Sequence, residues 1–522
     1  MSTAKYRFEG SEMNNKLLMG HPSGLFVLFF TEMWERFSYY GMRAILVLFL
    51  TRSLMEGGWG WSREEALSLY GTYTMLVYFS PIIGGFLADR LLGYRKAVAL
   101  GALIMTLGHA AMALDTPWAL YVGIAGLVAG NGLFKPNITS IISGVYKNAQ
   151  DKKDGAFTIF YMGVNAGAFI GILLCGYVGE TVGWHYGFGL AGIFMFFGML
   201  QFWFAQGIFG RIGLSPSETI EYDDAIENYE EVKEDAVPGN VQRDRYIVVG
   251  ILAFFTIFFW AAFEQAGGSM TIFAADYTQR ELVGSSANMF RICNTLLTVV
   301  PLLIITYVLY KLFQITFSKY ALSNIFLGTS FVIIWGIVIW MLNNQFNEVS
   351  TEVPASWFSI LNSFFIIALA PLISKIWESR FNPPATVKFG VGLVLLGLGF
   401  GVLAYGSSSI EQGAATASVS MIWLILAYFL HTMGELFLSP VGLSYVSKLV
   451  PASMIGMMFG LWYIAIGMGN KLAGKMGGMI DTITAQYDMS TFFLIFTIVP
   501  IGAGFLLMLL TPVVTKLMHG VK

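Results

Sequence analysis

Gly24-Leu-Phe-Val-Leu-Phe-Phe-Thr-Glu-Met-Trp-Glu-Arg-Phe-Ser-Tyr-Tyr-Gly-Met-Arg-Ala-Ile-Leu-Val-Leu-Phe-Leu-Thr-Arg52 is the first long apolar run of the chain. Its two ends are as apolar as a lipid-spanning helix, yet Glu32, Glu35, Arg36 and Arg43 occupy its middle. Each such charge disfavours insertion by roughly 2.5–3.5 kcal/mol on a translocon scale, so an intramembrane charge marks function by default. At about 100° per residue, Glu32, Arg36, Tyr40 and Arg43 share one helix face, with Glu35 at its edge. That face is expected to point into a protein-lined, water-accessible cavity. The competing reading is a structural ion pair between helices, but such a pair seldom needs four charges and a tyrosine on one stripe.

Composition points the same way. The chain has 522 residues, 56% hydrophobic and 12% charged, with a mean hydropathy of +0.67. Soluble domains carry about 25% charged residues, so an all-α polytopic membrane protein is expected. A spanning helix needs about 20 apolar residues. On that ruler, spans fall near 24–52, 66–88, 97–114, 118–145, 156–179, 187–209, 246–276, 285–311, 319–342, 355–376, 386–406, 420–447, 454–473 and 490–515, fourteen in all. With the N-terminus inside, most of the 30 Lys and Arg residues fall in cytoplasmic segments, which places both termini in the cytoplasm. The polar first twenty residues do not read as a cleavable signal peptide, so the first helix is the expected insertion signal. Residues 210–245 carry nine acidic residues between Glu218 and Asp235 against a single Lys233, and read as a solvated cytoplasmic linker. It divides residues 1–209, with six helices, from 246–522, with eight. A net charge of −2 argues for no nucleic-acid partner, and Cys175 and Cys293 offer neither metal-ligand spacing nor a disulfide framework.

Gly84-Gly-Phe-Leu-Ala-Asp-Arg-Leu-Leu-Gly-Tyr-Arg-Lys96 closes the second helix, with glycines for tight packing and basic residues on the expected inner side. This run resembles the loop hallmark of the major facilitator superfamily. Continued through Ala97-Val98, it is similar to the first signature of the proton-dependent oligopeptide transporter (POT) family. Phe157-Thr-Ile-Phe-Tyr-Met-Gly-Val-Asn-Ala-Gly-Ala-Phe169 resembles the second signature, and Glu32-x-x-Glu-Arg-Phe-x-Tyr-Tyr40 the family's third mark. Leu133-Phe-Lys-Pro-Asn137, Phe263-Glu-Gln265 and Gly434-Glu-Leu-Phe-Leu-Ser-Pro440 extend the resemblance over nearly the whole chain.

The resemblance implies a major facilitator fold, with 12 core transmembrane helices in two six-helix bundles. Two further helices remain. Bacterial members usually carry such a pair between the sixth and seventh core helices, where the acidic linker leaves no room here. The helix bearing Glu264 comes first instead, and Ala355-Ser-Trp-Phe-Ser-Ile-Leu-Asn362 resembles the eighth core helix. The extra pair is therefore expected as a peripheral hairpin at about 285–342 within the C-terminal bundle, with Arg291 near its outer end snorkelling to the interface.

The implied function is a bacterial symporter that imports di- and tripeptides with protons by alternating access. It would work as a monomer in the lipid bilayer of the inner (plasma) membrane, driven by the proton gradient and without a cofactor. The alternative is a carrier of the same fold for another small solute, such as nitrate or a peptide-like compound. An enzyme would need a nucleophile–base pair or metal-ligand cluster, and the sequence suggests neither.

The residues themselves set cations in the N-terminal half (Arg43, Lys135) against an anion in the C-terminal half (Glu435), which suits a zwitterion. The resemblance assigns the peptide carboxylate to Arg43 and Lys135 and the α-ammonium to Glu435. It gives the backbone to Asn165 and Asn362, and side-chain pockets to Tyr40, Tyr78 and Trp462. Ser439, before Pro440, is either a substrate contact or a partner for backbone freed by the proline. Some members place a proton-handling histidine in the second helix, but Ala66–Leu87 contains none, and His109 and His431 read as packed residues. Proton coupling is therefore expected on carboxylates: Glu32 and Glu35 beside Arg36, with Glu264 opposite Arg43 as a gate pair.

Overall fold

Apolar runs bounded by Gly, Pro or charged residues become long helices, because in lipid each backbone N–H and C=O must be satisfied within its own segment. The computed structural model describes residues 8–218, 238–378, 383–451 and 454–521. In chain order the helices are α1 (Ser23–Thr51), α2 (Arg63–Leu87), α3 (Tyr94–Met112), α4 (Pro117–Val145), α5 (Lys153–Thr181), α6 (Trp184–Ala205), α7 (Gly239–Phe263), α8 (Ser269–Asp276), α9 (Gly284–Thr316), α10 (Ala321–Asn347), α11 (Ile360–Glu378), α12 (Ala385–Gly406), α13 (Ile422–Leu449), α14 (Ile455–Gly478), α15 (Ile480–Gln486), α16 (Met489–Leu509) and α17 (Thr511–Leu517). Eleven of the described helical stretches are long and apolar enough to cross a membrane. Two short antiparallel strand pairs tie Leu17–Leu18 to His21–Pro22 and Glu281–Leu282 to Thr351–Glu352.

Two boundaries differ from expectation. The linker ends sooner, because α7 already begins at Gly239 and runs through the polar residues 240–245. Residues 219–237, most of the acidic run, lie outside the described residues. The span expected at 246–276 is also broken: α7 stops at Phe263, a 3₁₀ turn covers Glu264–Gly267, and α8 resumes at Ser269. Gly267-Gly268 costs helix propensity, and the freed backbone finds side-chain partners. The Tyr428 and Thr271 hydroxyls donate to the Ala266 carbonyl at 3.2 and 2.9 Å.

The described helices gather into two compact units that cut across the expected division at 209 and 246. The first draws on Met1–Ile45, Ser80–Glu227 and Glu281–Trp357, the second on Leu46–Phe79, Asn228–Arg280 and Phe358–Lys522. The α9–α10 hairpin thus packs with the first unit, not with the C-terminal bundle in which its sequence position placed it.

Within the first unit, Gly163, Gly167 and Gly171 recur every fourth residue along α5 and form a smooth stripe against α1. A Cβ on Gly167 would collide with the Met33 carbonyl, and one on Gly171 would lie 2.7 Å from the Phe37 Cα. Small residues at this spacing let two backbones approach in a membrane where no hydrophobic force drives them together. The opposite flank of α1 is aromatic. Trp34 stacks on Phe194 of α6 at 4.8 Å and meets Phe331 of α10 at 5.6 Å. Gln201 of α6 accepts from Thr31 (2.8 Å) and donates to the Val27 carbonyl (3.1 Å), while Ser323 of α10 donates to the Gln201 carbonyl at 2.8 Å. The hairpin therefore buttresses α1 as well as α6.

Arg291 does not snorkel. It is buried at 6% exposure and donates to Thr351 (2.7 Å), the Glu348 carbonyl (2.7 Å) and Asn288 (3.2 Å), clamping the chain that leaves α10. Asn294 continues the clamp, donating to Gln345 and accepting from the Trp357 indole, both at 3.0 Å. Glu180 at the end of α5 accepts from the backbone of Ala355 and Ser356 and from the Ser356 hydroxyl at 2.6–2.9 Å. In the second unit a reciprocal glycine contact joins α2 and α14: a Cβ on Gly71 would lie 2.8 Å from the Gly474 Cα.

Candidate functional site

The stripe read from the sequence is buried in the first unit. Glu32, Glu35 and Arg36 are 3%, 0% and 3% exposed. The Arg36 Nε faces both carboxylates, at 3.1 Å from Glu32 Oε1 and in a closer contact with Glu35 Oε2. Asn131 of α4, itself buried, donates to Glu35 Oε1 at 3.2 Å. Lys135 lies one helical turn further along α4, and its charge acts on Glu32, Glu35 and Arg36. Three buried polar atoms of this cluster have no hydrogen-bond partner: Glu32 Oε2, Arg36 Nη2 and Asn131 Oδ1.

Aromatic rings line the same face. The Arg36 guanidinium sits 5.2 Å from the Tyr39 ring and 6.0 Å from that of Tyr40, while Arg43 sits 5.7 Å from Tyr40. Tyr40 and Arg43 are half-buried. Asn165 on α5 is buried and donates to the Tyr161 carbonyl of its own helix at 3.0 Å. The fold thus gathers Glu32, Glu35, Arg36, Tyr40 and Lys135 around one guanidinium. α5 contributes mainly the glycines that let α1 lie close.

The second unit holds the other candidates. Glu264, in the 3₁₀ turn between α7 and α8, is buried and accepts from the Tyr70 hydroxyl at 3.1 Å. Asn362 donates to Glu435 at 2.8 Å and to the Thr432 hydroxyl at 3.2 Å, so the amide orients the carboxylate. Tyr78 is half-buried and faces Trp260 and Tyr463 at 6.3 and 6.2 Å. Trp462 is 3% exposed, packed edge-on to Phe389 and against Gly442. Ser439 Oγ is buried and makes no hydrogen bond.

At the far end of this unit, Asp276 joins Arg52 at 3.0 Å and Arg63 at 2.7 Å, and Arg63 also reaches Asp481 at 2.6 Å and the Tyr277 hydroxyl at 3.1 Å. These ion pairs link the C-terminal end of α1 and the start of α2 to α8 and α15.

The sequence reading missed Asn131, Tyr70, Thr432 and this five-residue network. Asn131 had a signal, standing four residues before Lys135 on one helix face. Gly163, Gly167 and Gly171 had one too, since glycine at every fourth position of an apolar helix marks a packing face. Arg52, Arg63 and Asp481 lie in or beside loops, where spacing along the chain says nothing of partners.

Helices of membrane-spanning length with charges buried in their faces define a polytopic membrane protein of the transporter class. The comparisons with known proteins narrow this. The model of the POT family (PTR2) matches residues 95–222 and 327–494. The peptide transporter YePEPT of Yersinia enterocolitica is 30% identical, with 97% of each chain covered. The di-/tripeptide transporter of Lactococcus lactis subsp. cremoris is also 30% identical, over 97% of this chain and 98% of that one. A crystal structure of a mutant peptide transporter POT in complex with alafosfalin superposes with a TM-score of 0.73, at 30% identity and 97% coverage of both chains. The chain belongs to the POT family.

Proposed function

We propose that this protein is a proton-coupled symporter that imports di- and tripeptides by alternating access. The observation that carries the reading is the buried guanidinium of Arg36 shared between Glu32 and Glu35. A buried ion pair that loses one partner leaves an uncompensated charge costing several kcal/mol. A proton arriving on either carboxylate therefore changes the balance of the whole cluster. Relatives named as di-/tripeptide transporters support the substrate class.

In this reading Arg43 and Lys135 receive the peptide carboxylate. Glu435, oriented by Asn362, receives the α-ammonium. Asn165 and Asn362 bond the backbone or amine, Ser439 is either a further substrate contact or a partner for the backbone freed by Pro440, and Tyr40, Tyr78 and Trp462 accommodate side chains. Glu264, bonded to Tyr70, is a second proton group whose protonation favours opening to the outside. The ion pairs of Arg52, Arg63, Asp276 and Asp481 would brace one end of the second unit until that step. Twelve helices form the transport core and α9–α10 is an added pair. Both termini are cytoplasmic, the membrane is the inner one, and the working unit is a monomer.

Uptake of dialanine and trialanine into proteoliposomes under an inward pH gradient tests this directly. Gradient-dependent accumulation that is lost in Glu35→Gln is expected. A monodisperse protein that accumulates neither peptide under the gradient would send the assignment to another solute.

A further inference from the structure

Resting on the reading of Glu35 as a proton-carrying group, the geometry points to Asn131 as the positioning residue that holds Glu35 in place in both of its protonation states. Asn131 is 1% exposed and its Nδ2 donates to Glu35 Oε1, while its Oδ1 has no hydrogen-bond partner. Most buried amides use both ends, and an unsatisfied buried acceptor calls for an explanation. The explanation here is chemical. An ionised carboxylate only accepts hydrogen bonds, whereas a carboxylic acid also donates one, and an amide can serve either.

When a proton from the aqueous phase bonds to Glu35 Oε1, the new O–H faces the Asn131 N–H, donor against donor. A half-turn of the Asn131 amide about its last side-chain bond withdraws the N–H and presents Oδ1, which accepts the O–H. Loss of the proton reverses the turn. Glu35 loses its full charge-assisted bond to Arg36 on protonation but keeps a partner on α4, so its carboxyl group stays in register for the next cycle.

The groups around Glu35 are consistent with this division of labour. Its own helix presents Glu32, Arg36, Tyr39 and Tyr40, and α4 presents Lys135. α5 approaches α1 through Gly163, Gly167 and Gly171, which meet Phe29, Met33 and Phe37, and α6 through Phe194 and Met195, which meet Trp34 and Ser38. Arg36 and Lys135 stay cationic donors and can answer only the ionised form. Asn131, bonded to Glu35, can both donate and accept, which Arg36 cannot.

The test is the pH profile of dialanine uptake by the full-length protein in proteoliposomes. Asn131→Leu keeps the approximate size and removes both functions. The ionised form then loses a charge-assisted hydrogen bond and the acid form a weaker neutral one, so protonation occurs at higher pH and the profile moves up by a part of about one pH unit, with the KM for dialanine unchanged. Asn131→Asp, isosteric with the native residue, sets a second carboxylate beside Glu35 and is expected to move the profile further in the same direction. In a Glu35→Gln background, followed by dialanine counterflow without a pH gradient, neither substitution should move the profile. A wild-type profile in both variants overturns the proposal, as does an equal shift with and without Glu35. If Glu35→Gln itself keeps the wild-type profile, the reading of Glu35 fails and the role of Asn131 falls with it. Should Asn131→Leu not fold, Asn131→Asp decides the same comparison.

Discussion

Gly167→Ala adds a single methyl group at the tightest point between α5 and the charged stripe of α1. The new Cβ would overlap the Met33 carbonyl oxygen and lie 2.9 Å from the Met33 carbonyl carbon and 3.0 Å from the Arg36 Cβ. Two of these atoms belong to backbone that cannot swing aside. Carbon atoms rest at about 3.5–4.0 Å, so the helices must part by roughly 1 Å, which carries Arg36 away from its place. Overpacking of this kind costs about 1–3 kcal/mol. Gly189→Ala on α6 is the internal control, because a Cβ there meets nothing within 4 Å. Replacing an unconstrained helical glycine by alanine gains about 0.5–1 kcal/mol. Melting of the detergent-purified protein should show Gly167→Ala several degrees below wild type and Gly189→Ala at or above it. Dialanine uptake should fall in the first variant and persist in the second. Equal midpoints for the two variants would refute the argument that α5 sets the position of α1 by backbone contact.

Other consequences follow from single residues. Asp276→Asn removes the charge shared by Arg52 and Arg63; at these partly exposed positions each pair contributes about 0.2–1 kcal/mol. A cysteine introduced at the buried Thr278 should then react faster with a membrane-impermeant thiol reagent, and an unchanged rate would mean that the network does not hold this end of the second unit closed. Arg291→Leu removes a buried fork and strands the Glu348 carbonyl, costing about 1.5–3 kcal/mol; protease cleavage within 348–353 should accelerate, and equal cleavage rates would argue against the clamp. Glu218 is held down to about 2 by hydrogen bonds from Lys96 and Ser215. Its folded value is depressed, so its contribution is complete above its ordinary value of 4.5 and is lost only as the pH falls toward about 2. Glu218→Gln should leave the shape of the uptake profile between pH 5 and 8 unaltered, and a changed shape would make this contact a pH sensor.

The helices were legible because hydrophobic length is a local property, and the stripe on α1 because its residues are neighbours along one helix. What stayed hidden depends on contacts between distant segments. The break at Glu264 was written in Gly267-Gly268, but glycines are common in membrane helices. It takes Tyr428, more than 160 residues away, to satisfy the Ala266 carbonyl and make the break tolerable. Arg291 looked like a charge near a helix end with water in reach. Its burial follows from Thr351 and Glu348 folding back over it, which no periodicity in α9 announces. The hairpin's allegiance was hidden for the same reason. Sequence order placed it in the C-terminal half, whereas Ser323 and Phe331 find their partners on α6 and α1.

The way α1 is held bears on the proposed role of its charges as a switch and not a stable ion pair. Glycines of α5 press on its backbone, aromatic rings of α6 and α10 fix Trp34, and the Thr31–Gln201 chain fixes its N-terminal half. The helix is therefore a rigid mount. On that mount, Arg36 directs one Nε–H toward two carboxylates while its Nη2 has no partner, and Glu32 Oε2 has none either. A pair selected for stability would use the bidentate fork, which is the stronger arrangement. A half-satisfied network instead leaves several arrangements close in energy, and one proton or one incoming carboxylate is enough to choose among them. Rigidity of the frame and poor satisfaction of the charges belong together. If α1 could shift, the orphaned atoms would find partners and the cluster would settle. Because it is pinned, the imbalance persists, as the proposed response to a proton or substrate requires.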